Sequence, residues 1–290
     1  MKGKRMSRKK PRMAICYDFD GTLAPGNMQE YDYIPRLKIT SQEFWEQVNQ
    51  RATEQQADEI LSYMCLMLEK ANADKSKGIQ ITKKAFADYA KKVTLYPGVE
   101  EWFSRINEYG DQKGLKVEHY LISSGIREMI TGTSIAKEFT KIYASSFMYD
   151  QNGVAYWPAL AVNYTTKTQF LFRINKGYLD EWDNTGINKY LEKSQRPIPF
   201  ERMVYIGDGY SDVPCMRLVK DQGGTSIAVY KPRTPGKREI AMQLMAEGRV
   251  NMIAPADYRA GKKLDVIMKG LIDKIAAEYR VLELEQVSNC

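Results

Sequence analysis

The stretch Met13-Ala14-Ile15-Cys16-Tyr17-Asp18-Phe19-Asp20-Gly21-Thr22 decides the fold. Its first five residues form an unbroken apolar run closed off by polar residues and glycine, the pattern of a strand buried on both faces of a parallel sheet. The acids then stand at the carboxyl end of that strand. Asp18 and Asp20 are separated by one residue, which in extended chain turns both side chains to the same side. Gly21 lets the backbone turn away sharply behind them.

Working outward, the same arrangement recurs. An apolar run over 117–122 leads into Ser123-Ser124-Gly125, and another over 203–206 leads into Gly207-Asp208-Gly209-Tyr210-Ser211-Asp212. A further strand is expected over 225–230. Helical patterns fill the gaps. Thr40 and Glu43 form a capping box at the head of a helical region reaching to about residue 72, with Ile60, Met64, Met67 and Leu68 as its apolar stripe. Other helices are expected over 82–93, from Val99 to about Gly110 or Gly114, over 127–139, over 165–175 with Gly177 as the stop, and over 263–277. Asn152-Gly153 between the β-rich runs 142–149 and 154–162 signals a hairpin. Residues 178–200 are polar and aromatic, with only a short helix expected near 188–193.

Strands alternating with helices predict an α/β fold with a Rossmann-like parallel sheet. In open parallel sheets, sites form outside the carboxyl ends of the strands. The residues converging there would be Asp18 with Asp20, Ser123, Lys167 at a helix start, and Asp208 with Asp212. Paired carboxylates, a hydroxyl donor and one fixed cation are the parts of a phosphoryl-transfer site. Lys176, followed by Gly177, competes with Lys167 for the cationic role. Lys167 is preferred because it lies just past the hairpin, at a helix start capped by Thr165 or Thr166.

Composition narrows the class. At 290 residues the chain exceeds the usual domain of about 100–200, so a core carrying a smaller inserted domain is expected. Hydrophobic residues at 43% and charged residues at 27% exclude a disordered or collagen-like chain. No apolar run approaches the roughly 18–20 residues of a membrane-spanning helix. The net charge of +7 resides in residues 1–13, which hold seven of the 43 basic residues and no acid. The other 277 residues carry 36 bases and 36 acids, so the folded body is neutral, which argues against nucleic acid as the partner. The basic tail reads as a solvated extension.

Cys16, Cys65, Cys215 and Cys290 are widely spaced, as suits reduced thiols in a cytoplasmic protein. His119 is the single histidine, which excludes His-rich zinc sites, and it belongs to the strand leading to Ser123. Exposed or core packing, with no role in base stacking, is expected of Tyr156, Trp157 and Trp182.

The chain resembles the haloacid dehalogenase superfamily in its phosphatase branch. The resemblance rests on DFDGT at 18–22, the serine in LISSG at 121–125, the lysine in TTKT at 165–168 and GDGYSD at 207–212, in that family's order over about two hundred residues. It implies Asp18 as the nucleophile that forms an aspartyl-phosphate, and Asp20 as general acid and base with its backbone carbonyl reaching the metal. It also implies a Mg²⁺ ligand set completed by Asp208 and oriented by Asp212. Ser123 and the Ser124 amide would hold phosphoryl oxygens, and Lys167 would neutralise charge between them and Asp18.

The helical block 27–95 falls where the phosphoserine phosphatase-like branch carries a cap. The implied organisation is a basic tail over 1–11, a core over 12–26 and 96–290, and a helical cap domain over 27–95. Asp20 favours phosphoester hydrolysis over carbon–halogen cleavage, since a halide needs no proton donor. The expected substrate is a small phosphorylated metabolite, but the region after Leu23 does not clearly reproduce the acid and arginine that read phosphoserine. A phosphotransferase or mutase would use the same residues. A non-catalytic binding or regulatory protein, or an RNA-associated one using its tail, is the reading from another class; the complete acid set argues against the former and the neutral body against the latter.

Overall fold

The computed structural model describes residues 10–73 and 78–288, with side chains through residue 285. Most of the basic tail lies outside the described residues. Of its described members, Lys10 pairs with Asp111 at 2.9 Å and the Arg12 guanidinium donates to the Glu118 carboxylate, with Nε at 2.9 Å.

Strand β1 (Arg12–Tyr17) is the centre of a seven-stranded sheet with β2 (Lys116–Ile126), β3 (Lys141–Tyr149), β4 (Ala155–Leu160), β5 (Met203–Gly207), β6 (Thr225–Tyr230) and β7 (Met252–Pro255). The spatial order is β4-β3-β2-β1-β5-β6-β7, and every pairing is parallel except β3 with β4. The apolar run of β1 has a direct cause in this placement. Met13, Ile15 and Tyr17 enter the core on one face, while Ala14 and Cys16 enter a second core on the other. The two-residue period thus needs apolar side chains at every position.

Helices cover both faces. Residues of α5 (Val99–Gln112) and α11 (Lys263–Ser288) fill the first core, including Trp102, Phe103, Leu264 and Ile272. Residues of α7 (Lys167–Lys176), α9 (Val213–Asp221) and α10 (Lys237–Ala246) fill the second, including Phe170, Met216 and Leu244. His119 is buried on β2 in a relay that fixes its tautomer. Trp102 Nε1–H donates to the Tyr17 oxygen at 2.8 Å, and that hydroxyl meets His119 Nδ1 at 2.9 Å. The opposite ring nitrogen is left to donate to Asn107 Oδ1 at 3.0 Å.

Between β1 and α5 the chain forms α1 (Tyr33–Arg36), α2 (Ser41–Gln55), α3 (Glu59–Ala73) and α4 (Lys83–Tyr89). The Thr40–Glu43 capping box is present, and Gln56 at φ 51° ends α2, so the region splits into two helices. Met64 and Met67 are core residues. The hairpin turn holds Gly153 at φ 73°, with Asp150 Oδ1 accepting from the amides of Asn152 and Val154.

Several elements depart from the sequence expectation. The helix expected over 127–139 is broken: α6 (Arg127–Ile130) is followed by turns and a 3-10 turn at Ala136–Glu138, and Gly132 between them packs where a Cβ would stand 2.1 Å from the Ala87 carbonyl oxygen. The short helix expected at 188–193 lies earlier, as α8 (Asn184–Asn188), where Asp183 caps the amides of Thr185 and Gly186. Helix α7 is headed by neither threonine's side chain. Asn163 Oδ1 accepts from the amides of Thr165 and Thr166 instead. Tyr156, Trp157 and Trp182 are exposed. Among the described residues, no helix is long and apolar enough to cross a membrane.

Candidate active site

The sheet order reverses direction at β1, whose neighbours are β2 on one side and β5 on the other, and a crevice opens at such a switch point. The Asp18 amide donates to the Ile206 carbonyl at 3.0 Å, which fixes the first acid to the end of β5. Gly21 at φ 77° lies against Asp208, where a Cβ would come within 2.2 Å of Oδ2, so only glycine permits the two loops to meet.

Lys167 reaches the centre of the crevice from the first residue of α7. Its Nζ is 3.0 Å from Asp18 Oδ1 and 2.8 Å from Asp212 Oδ1, and the lysine is 1% exposed. Asp212 is fully held: Oδ1 also accepts from the Tyr205 hydroxyl at 2.7 Å, and Oδ2 from the Asp208 amide at 3.1 Å. Asp20 Oδ1 accepts from the Met28 amide at 2.9 Å. Ser123 is buried at the end of β2, its Oγ accepting from the Gly125 amide at 3.0 Å. Lys176 lies elsewhere, donating to the carbonyls of Ile187 and Lys189.

Asp18, Asp20, Ser123, Ser124, Lys167 and Asp208 all line one cleft of about 600 Å³, and Asp212 lies directly beneath it. The helical region closes the other side through three contacts. Tyr63 donates to the Ser124 carbonyl at 2.6 Å, Asn163 Nδ2 to Asp58 at 2.8 Å, and the Tyr164 hydroxyl to Glu59 at 2.6 Å.

The electrostatics are those of a pocket short of positive charge. Burial and the neighbouring Asp212 push Asp18 up to about 7 against the opposing field of Lys167. Burial, then Asp18, raises Asp20 well above the usual carboxylate range. Burial, then Asp212, pushes Asp208 up to about 6. Burial works against the Lys167 ammonium, yet Asp18 and Asp212 outweigh it and raise its proton affinity.

Carboxylate oxygens of Asp18, Asp208 and Asp212 all lie within 4.8 Å of one another. A cluster of three carboxylates offering hard oxygen donors at this spacing fits a hard divalent cation.

Four residues of this site escaped the sequence reading. Tyr205 sits in an apolar strand run, and its only signal is a hydroxyl among buried residues, which must find a partner. Gln29, Trp45 and Tyr63 line the cleft through the way the helical region folds back, and no local pattern marks them.

The family model for haloacid dehalogenase-like hydrolases matches residues 15–217. This chain belongs to that family. It is similar to an uncharacterized protein of Borreliella burgdorferi, 28% identical over 283 residues, covering 89% of this chain and 96% of that one. Among solved structures, a haloacid dehalogenase family hydrolase from Salmonella enterica serovar Typhi is 17% identical with a TM-score of 0.56, covering 91% of this chain and 72% of its own. A substrate-bound phosphoserine phosphatase is 14% identical with a TM-score of 0.55, covering 90% of this chain and 98% of its own. A phospho-aspartyl intermediate analogue of phosphoserine phosphatase is 15% identical with a TM-score of 0.53, covering 90% of this chain and 99% of its own. The chain thus has the fold of these hydrolases.

Proposed function

We propose that this protein is a Mg²⁺-dependent phosphatase that hydrolyses a small-molecule phosphate monoester through an aspartyl-phosphate at Asp18. The observation that carries the reading is the contact of Lys167 with Asp18 at 3.0 Å beside the carboxylates of Asp208 and Asp212. The fold shared with a phosphoserine phosphatase captured as a phospho-aspartyl analogue supports it.

An Asp18 carboxylate oxygen attacks phosphorus, the bond from phosphorus to the alcohol oxygen breaks, and Asp20 gives its proton to that oxygen. Water then attacks phosphorus and yields a proton to Asp20, and the acyl-phosphate bond breaks to restore Asp18 and release inorganic phosphate. The raised proton affinity of Asp20, from burial and from Asp18 beside it, suits a group that must arrive protonated.

Ser123 and the Ser124 amide donate to phosphoryl oxygens, and Lys167 faces the developing charge from its fixed position. Asp18, the Asp20 carbonyl, Asp208 and Asp212 are the residues that would hold Mg²⁺. The ion, when bound, supplies further positive charge to the phosphoryl oxygens.

Residues 27–95 serve as the cap that excludes bulk water during transfer. The free thiols of Cys16, Cys65 and Cys215 suit a reducing cytoplasm. The test is turnover of an aryl phosphate with Mg²⁺, with chelator, and with Asp18→Asn. Turnover is expected only in the first. Metal-independent cleavage, or an active Asp18→Asn protein, contradicts the proposal.

A further inference from the structure

Asn163, on the loop between β4 and α7, heads the helix that carries Lys167 as its first residue. Its Oδ1 accepts from the amides of Thr165 at 3.2 Å and Thr166 at 3.0 Å, and its carbonyl accepts from the Lys167 amide at 3.0 Å. Its own amide donates to Thr166 Oγ1 at 2.8 Å. The main chain and the side-chain oxygen of Asn163 are thus spent on the first turn of α7, whose free amides need acceptors.

The side-chain nitrogen points out of α7. Nδ2 donates to Asp58 Oδ2 at 2.8 Å, and Asp58 heads α3 in the same manner. Its Oδ1 accepts from the Leu61 amide at 3.0 Å and its carbonyl from the Ser62 amide at 2.9 Å. Each of the two side chains therefore caps its own helix with one atom and reaches the other helix with its second. With both capping oxygens committed, the direction of the bridge is set, from the asparagine donor to the aspartate acceptor. Tyr164 and Glu59 add a parallel tie one residue further along each segment, at 2.6 Å.

This tie differs from the Tyr63 contact, which ends on the Ser124 carbonyl. It ends on the residue whose carbonyl holds the Lys167 amide, and Lys167 Nζ in turn meets Asp18 and Asp212. We propose that Asn163 is a positioning residue: through its bond to Asp58 it makes the placement of Lys167 at Asp18 depend on how α3 sits over the cleft. This rests on the phosphatase reading above. Because α3 lends Ile60 and Tyr63 to the lining of the cleft, a substrate settling against that helix steadies the lysine that faces its phosphoryl group.

The experiment breaks the bridge while keeping both helix caps. Asn163→Asp retains a capping oxygen but sets two acceptor-only carboxylates against each other, and Asn163→Ser caps as well without the reach or the added charge. Adding Asp58→Asn to Asn163→Asp exchanges amide and carboxylate across the bridge, so that one donor again meets one acceptor. With p-nitrophenyl phosphate and saturating Mg²⁺, each single variant is expected to lower kcat about tenfold with KM within about threefold, as misplacement of a reacting group does, and the double variant to recover kcat to within about threefold of wild type. Hydrogen exchange without substrate reads the bridge itself: the amides of Leu61 and Ser62 should exchange faster in both single variants and return to the wild-type rate in the double one. Unchanged kcat or unchanged exchange in the single variants, a loss confined to KM, or a loss that the double variant does not restore overturns the positioning role, while turnover by wild type leaves the phosphatase standing. Failure of wild type to hydrolyse the ester overturns both.

Discussion

Asp18, Lys167 and Asp212, on the floor of the cleft, are almost wholly buried and locked to one another at 2.8–3.0 Å, while Trp45 and Tyr63, on the wall opposite, meet each other edge to face and spend their polar hydrogens on single acceptors, Glu30 and the Ser124 carbonyl. The floor is built from strand ends whose backbone is tied into the sheet. The wall belongs to helices held over it by the contacts of Tyr63, Asn163 and Tyr164. A site of this kind separates its chemistry from its choice of substrate: the same floor can serve different walls. Substitutions should divide accordingly, with floor changes lowering kcat and wall changes altering KM and selectivity.

The largest effect is expected for Lys167→Met. Removing the one ammonium that touches both Asp18 and Asp212 should lower kcat on an aryl phosphate by about 10²–10³-fold, as for loss of a preorganised charge at a transition state. Steady-state kinetics at saturating Mg²⁺ measures it, and a change confined to KM would move Lys167 out of the floor.

Tyr205→Phe comes next. It deletes one of the donors to Asp212 Oδ1 without altering shape, and should lower kcat about tenfold with KM held within about twofold. A double-mutant cycle with Asp212→Asn should show no further loss from the tyrosine change. Additive effects would mean that Tyr205 does not act through Asp212.

Tyr63→Phe removes the hydroxyl that joins α3 to the Ser124 carbonyl. Its expected cost is smaller, about three- to tenfold in KM with kcat nearly unchanged, since the helical region is then held less firmly over the cleft. A loss mainly in kcat would show that floor and wall do not separate at this contact.

The smallest effect at neutral pH belongs to His119, buried on β2. Burial depresses its imidazole to about 3. Below about pH 6.5 the unfolded chain binds a proton that the folded chain refuses, so this group's contribution to stability is complete above 6.5 and is lost as pH falls toward 3. The ceiling is a few kcal/mol at 1.36 kcal/mol per pH unit. The raised carboxylates of Asp18 and Asp208 act in the opposite sense, gaining stability on acidification, so the reading is the difference between wild type and His119→Gln. Urea midpoints at pH 7, 5.5 and 4.5 should fall more steeply in wild type, and parallel slopes would contradict the buried neutral assignment.

How much of this was legible in the chain follows the same division. Asp18 and Asp208 stand out because an apolar run buried on two faces must end in something polar, and strand ends of a parallel sheet converge. Gly21 could be read as a sharp turn, although its true constraint, the closeness of Asp208, is tertiary.

The helix expected over 127–139 breaks after Ile130, and Gly132 just beyond packs against Ala87, a tertiary contact that no local pattern reports. Strand β7, only four residues long, and helices α9 and α10 gave signals too short or too mixed to extract. Gln29 and Trp45 were invisible for a related reason. Their place at the cleft depends on how the helical region folds back over the sheet, and the apolar stripe of a helix says that it packs without saying over what.

The central claim is that Asp18 carries phosphorus during turnover. Acid quenching within the first turnover of Mg²⁺ and a ³²P-labelled phosphate ester, followed by peptide mass spectrometry, tests it most directly. One phosphoryl group on the peptide containing Asp18, absent from Asp18→Asn, is the predicted result. Turnover with no labelled protein, or a label on any other residue, would contradict it.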